Sequence, residues 1–161
     1  MNPWDAPSDT EDPYDLNRFL DAQEDVYTQA LSEIQRGRKR SHWIWYIFPQ
    51  IDGLGFSSTS IHYAIKSLAE AQAYLDHPIL GLRLIECAEA ALRIEGRSAT
   101  EVFGSPDDRK VQSCATLFAC VSPADSVFER LLAKYYWNER DGNTLRLLGI
   151  TRESGNSNNG R

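Results

Sequence analysis

The chain is poor in the residues that usually carry recognisable chemistry. Of its 161 residues only three are cysteine (Cys87, Cys114 and Cys120) and three histidine (His42, His62 and His77). No CxxC, HxH or HxxxH pair occurs, so the local ligand pairs from which metal sites are usually built are absent, and no metal or cofactor is expected. Three scattered cysteines do not make a disulfide framework, and they are expected to be reduced and largely buried. No apolar stretch approaches the length of a membrane span, and the first residues lack the basic-then-apolar order of a secretion signal. A cytoplasmic protein with no membrane partner is the expectation. Neither a P-loop nor a dinucleotide-binding glycine fingerprint is present.

Basic residues are scarce at one end. Asp5, Asp9, Glu11, Asp12 and Asp15 face no base within the first 17 residues. The formal charge of −6 therefore belongs largely to that end, and the remaining 18 acids nearly balance 17 bases. Residues 1–11 read as an acidic disordered tail, 12–150 as a single helical domain, and 151–161, rich in Ser, Asn and Gly, as a second disordered tail. Oligomeric state has no signature in the sequence.

What is present is helical punctuation. Leu16, Phe19, Leu20, Gln23, Tyr27, Ala30, Leu31 and Ile34 recur at three- and four-residue steps, which predicts one amphipathic helix opened by Asp12 or Asp15 and ended by Gly37. Ser67 with Glu70 and Ser98 with Glu101 have capping-box spacing. Pro78 opens a further helix, in which Gly81 implies close packing. Ser105-Pro106-Asp107-Asp108 and Ser122-Pro123-Ala124-Asp125 both read as helix starts, and Thr144–Leu148 as a short closing helix. With no convincing alternating strand, the fold class is all-α: a compact multihelical domain of five or more helices.

The richest stretch runs from Gly37 to Ser58. Arg36, Arg38, Lys39 and Arg40 form the densest positive run, and Trp43–Phe48 are six consecutive apolar or aromatic residues that periodicity assigns to neither helix nor strand. Pro49 ends that element, and Gly53 and Gly55 permit a close backbone turn. Aromatic walls, a few polar groups and bases suit an anionic, ring-containing small molecule such as a nucleotide, bound or hydrolysed. In that reading Trp43 or Trp45 stacks the ring, and Lys39, Lys110 and the Gly53–Ser57 turn hold the anion. Gln50 reads an amide-like edge, Gln23 and Ser113 add polar contacts, and His42 is the candidate catalytic base. The bland alternative, aromatics as core and bases as solvated helix ends, weighs more at any one position. The rival function is a module that binds protein or single-stranded nucleic acid through the Arg36–Arg40 run and its tryptophans.

The segments RFLDAQ (18–23), GRKRSHWIWYIFPQIDGLG (37–55), EAQAYLDHPILGLRL (70–84), VFGSPDDRK (102–110) and SCATLF (113–118), with the tyrosine and alanine of YTQAL (27–31), give the chain a recognisable likeness. It resembles a bacterial family known as domain of unknown function 1810, with Ile44 and Ala115 standing where methionine is expected. The resemblance implies a compact, mainly helical single domain and no particular activity. The calpastatin label that some members carry finds no support in a chain this rich in Trp and Tyr.

Overall fold

Helix starts in this chain are made by side chains that accept from the free N–H groups of the first turn. The computed structural model describes residues 12–150, and most of its helices show such a start. Asp12 accepts from the N–H groups of Leu16 (2.6 Å) and Asn17 (3.1 Å) and opens α1 (Asn17–Gln23). The expected single helix then breaks, and α2 occupies Tyr27–Gln35. Glu24 and Asp25 lie at the break, where acids oppose the negative end of one helix dipole and suit the positive end of the next. A one-turn helix, α3 (Ile44–Ile47), resolves the ambiguity of the aromatic run, and α4 is Ser58–His62, capped by Ser57. A parallel bridge between Ile51 and Ile65 encloses that segment.

Ser67 caps α5 (Leu68–Asp76) as its spacing predicts, though Glu70 turns to the Lys66 N–H and to Arg18. The ring of His77 accepts from the N–H groups of Ile79 and Leu80 through Nδ1 and so starts α6 (Leu80–Leu92). A Cβ at Gly81 would lie 1.9 Å from the Leu75 carbonyl oxygen, so the close packing expected there is real. A complete capping box at Ser98 and Glu101 opens α7 (Ala99–Phe103). Helix α8 is Asp107–Ala119, with two acids in its first turn. The second Ser-Pro start lies too early: Ser126, not Ser122, caps α9 (Val127–Tyr136) through the Glu129 N–H. Asp141 caps α10 (Gly142–Leu147).

Ten helices and one isolated bridge among the described residues make the domain all-α. Helix α9 packs on both α8 and α6, α2 and α5 flank α6, and α3 and α10 reach α8. Phe19, Ile34, Trp43, Tyr74, Leu84, Phe118 and Phe128 fill one core. Cys87 and Cys114 are buried in it, and burial pushes the Cys87 thiol up to about 12. Cys120 is exposed, contrary to expectation, because it caps the end of α8 where the helix leaves the core. The two expected tails lie outside the described residues.

Two buried carboxylates fix the geometry. Arg18 donates to Glu70 (2.7 Å) and to the carbonyls of Tyr14, Asp15, His62 and Ala64, which ties α1 to the end of α4. Glu33, at 6% exposure, accepts from the N–H groups of Arg40 and Ser41, the Ser41 hydroxyl, the Trp43 indole (2.8 Å) and the Gln29 amide. Its burial disfavours charge, yet these donors outweigh it and hold the carboxyl at about 2.

Candidate functional site

Between α8, the 50–64 segment and the start of α10 lies a cleft of about 240 Å³. One wall is the first two turns of α8. Pro106, Arg109, Lys110 and Ser113 recur at helical spacing and therefore share a face. The facing wall consists of Trp45 from α3, Gln50, the Gly53–Gly55 turn, Ser60 and Tyr63. Asp141 and Asn143 close one end from α10.

The backbone of the facing wall is shaped for close approach. Gly53 has φ +108°, and a Cβ there would meet the Leu147 side chain at 3.0 Å. A Cβ at Gly55 would sit 2.6 Å from Ser60 Oγ. The turn is anchored where Ile65 donates to the Gln50 carbonyl and Asp52 donates to the Ile65 carbonyl, each at 2.8 Å.

Lys110 places its Nζ 5.4 Å from the centroid of the half-buried Trp45 ring and 3.5 Å from Asp107 Oδ1. Asp107 is itself shared, since Lys39 Nζ lies 2.7 Å from its other oxygen. The exposed Arg109 guanidinium has no hydrogen bond or ion pair among the described residues, and neither does the Gln50 side-chain amide. Asp141 uses Oδ2 to accept from the Thr144 N–H (2.9 Å) and hydroxyl (2.6 Å), which leaves Oδ1 for another donor. Ser113 spends its hydroxyl on the Arg109 carbonyl at 3.1 Å. The arrangement can hold a compact anion against an aromatic wall, with the Gln50 amide as a donor and Asp141 Oδ1 as an acceptor for a hydroxyl or N–H elsewhere on the same ligand.

Six of the residues expected from sequence meet in this cleft: Trp45, Gln50, Gly53, Gly55, Lys110 and Ser113. Five do not line it. Trp43 is fully buried, with its indole on Glu33. The Lys39 side chain, 7% exposed, is committed to Asp107 and to the Ser41 carbonyl. Gln23 is a satisfied core amide that donates to Tyr74 Oη and the Tyr46 carbonyl and accepts from Arg83. Ser57 caps α4. His42 is exposed just before α3, outside the cleft lining.

Sequence reading missed Arg109, Tyr63, Asp141 and Asn143. Arg109 carried a usable signal, because it precedes Ser113 by one helical turn. The C-terminal pair carried none, since only the packing of α10 on α8 brings it near. No cluster of three or more His, Cys, Asp or Glu side chains suited to a metal ion occurs among the described residues.

Residues 13–148 match the family described as protein of unknown function (DUF1810). The crystal structure of the conserved hypothetical protein Rv1873 from Mycobacterium tuberculosis is similar, at 50% sequence identity and a TM-score of 0.84. The likeness covers 87% of this chain and 100% of that one. No curated protein matches the chain.

Proposed function

The chain belongs to the DUF1810 family, and from that premise we propose that it binds a small anionic ligand bearing an aromatic ring, a mononucleotide being the leading class. The carrying observation is the pairing of Lys110 with Trp45, beside an Arg109 guanidinium and a Gln50 amide that have no partner among the described residues. Lys110 and Arg109 take the anion, Trp45 and Tyr63 face the ring, and Gln50 reads its edge. A volume of about 240 Å³ falls below the roughly 300–1,000 Å³ of pockets for drug-sized ligands, which favours a compact ligand. No helix among the described residues is long and apolar enough to cross a membrane, and a cytoplasmic location fits this reading.

The reading is one of binding. His42 stands outside the cleft lining, so hydrolysis through its imidazole has no geometric support here, and His42→Ala is expected to leave affinity unchanged. The nucleic-acid alternative loses two of its expected contacts, because Trp43 and Lys39 are turned inward.

The test is a thermal-shift panel of nucleoside mono- and diphosphates. A ligand at a hundred times its Kd stabilises the native state by about 2.7 kcal/mol. A tenfold loss of affinity in Trp45→Ala or in Lys110→Ala should cut that stabilisation to about 1.4 kcal/mol. Absence of any shift at millimolar concentration, or a shift untouched by both substitutions, would remove the proposal.

A further inference from the structure

Trp137 follows α9 and is 90% exposed. Tryptophan is normally among the more buried residues, and this one also adopts a left-handed backbone (φ 53°, ψ 36°) that glycine fills at less cost. Asn138 continues the turn at φ 63°. The turn is firmly held. The N–H groups of Trp137 and Asn138 both donate to the Leu132 carbonyl, Glu139 N–H donates to the Tyr136 carbonyl at 2.8 Å, and the Gln112 amide donates to the Glu139 carbonyl at 2.8 Å. A bulky ring is thus carried into solvent on a held backbone that would suit glycine better.

Trp137 borders a second, shallower cleft of about 330 Å³. Arg109 and Asp141 line both clefts and so stand at the boundary between them. The other cation of the second cleft, Arg140, is bound to both carboxylate oxygens of Glu129. Among the described residues Arg109 is consequently the cation of this cleft left to serve an anion at the junction, and the far side offers the Trp137 ring.

We propose that the ligand is a dinucleotide, two rings joined by a phosphate linker. The first ring occupies the Trp45 cleft, the linker lies on Lys110 and Arg109, and the second ring stacks on Trp137. This rests on the mononucleotide reading above and extends it by one nucleoside.

The test compares, by calorimetry, a nucleoside diphosphate with the symmetrical dinucleoside diphosphate of the same base, for adenine, guanine, cytosine and uracil. The two share their phosphates and differ by the second nucleoside. Stacking of one base on an aromatic side chain predicts roughly a tenfold tighter dinucleoside complex for at least one base. Trp137→Gly, which suits the left-handed backbone and should stay folded, is expected to abolish that advantage while leaving the diphosphate affinity unchanged. Trp137→Phe should retain most of it. Equal affinity of the two ligands, or an advantage that survives Trp137→Gly, overturns the dinucleotide proposal and leaves the cleft reading standing. Failure of both ligands to bind overturns the two together.

Discussion

Two regions of this domain set bases beside tryptophans, and they use them in opposite ways. Around Glu33, Lys39 and Trp43 are turned inward while Arg38, Arg40 and His42 stay exposed: two backbone N–H groups, the Ser41 hydroxyl and the Trp43 indole converge on one carboxylate. Around the cleft, Lys110 faces Trp45 while the Arg109 and Gln50 side chains have no partner among the described residues. In the first region Glu33, Ser41, Trp43 and Lys39 are committed to partners and belong to the architecture. The second has donors to spare, which is what a ligand requires. Within the densest positive run Lys39 is therefore unavailable while Arg38 and Arg40 stay exposed, because availability depends on which partners the fold has already supplied.

The sharpest way to break the comparison is Glu33→Gln. Removing a buried charge that serves several donors leaves them poorly matched, and a loss of about 3 kcal/mol is expected in chemical denaturation. The same substitution probes acid sensitivity. With the Glu33 carboxyl lowered from 4.5 to about 2 in the native state, its stabilisation is fully present above pH ~4.5 and is lost as pH falls toward 2. The shift corresponds to a contribution on the order of 3 kcal/mol. A denaturation series from pH 5 to 2.5 should show a steep decline in the wild type and a flatter one in the variant.

Lys110→Ala should behave in the opposite sense. Its partly exposed pair with Asp107 stabilises by at most about 1 kcal/mol, so the melting temperature should hardly move while anion affinity falls about tenfold. A large stability loss there would erase the distinction between the regions. Trp137→Gly offers a finer contrast: relief of the left-handed backbone should raise stability by about 1 kcal/mol. Such a gain would show that the native side chain is kept at a cost to the fold.

Much of the fold was legible because helix starts are local events. Ser67, Ser98 and Asp12 cap helices by hydrogen bonds to residues three to five positions on, so spacing alone reveals them. The break between α1 and α2 was less visible, because the apolar stripe runs on through Gln23 and Tyr27 while only Glu24 and Asp25 mark the interruption. The misplaced start of α9 has the same origin: Ser122 and Ser126 both precede acids at plausible spacing, and tertiary packing chose the second.

The candidate site divides along similar lines. Lys110 and Ser113 could be picked out because a helix start sets their spacing, and Trp45 and Gln50 because they sit in an unusually dense stretch. Trp43 and Trp45 cannot be told apart by composition. A Glu33 placed ten residues earlier captures one of them, and the single turn of α3 directs the other to the cleft. Asp141 and Asn143 reach the cleft only through the docking of α10, which leaves no trace in local pattern.

The bridge between Ile51 and Ile65 has a consequence for how this domain tolerates change. Because the segment between them enters and leaves at one point, it is a closed loop whose ends are joined independently of its tip. Lengthening such a loop is cheap: doubling it costs only about 0.6 kcal/mol. Phe56, 87% exposed at the tip, marks where extra residues would fit. The wall of the cleft can in this way be re-tailored as a cassette, with the helices beneath it left as they are.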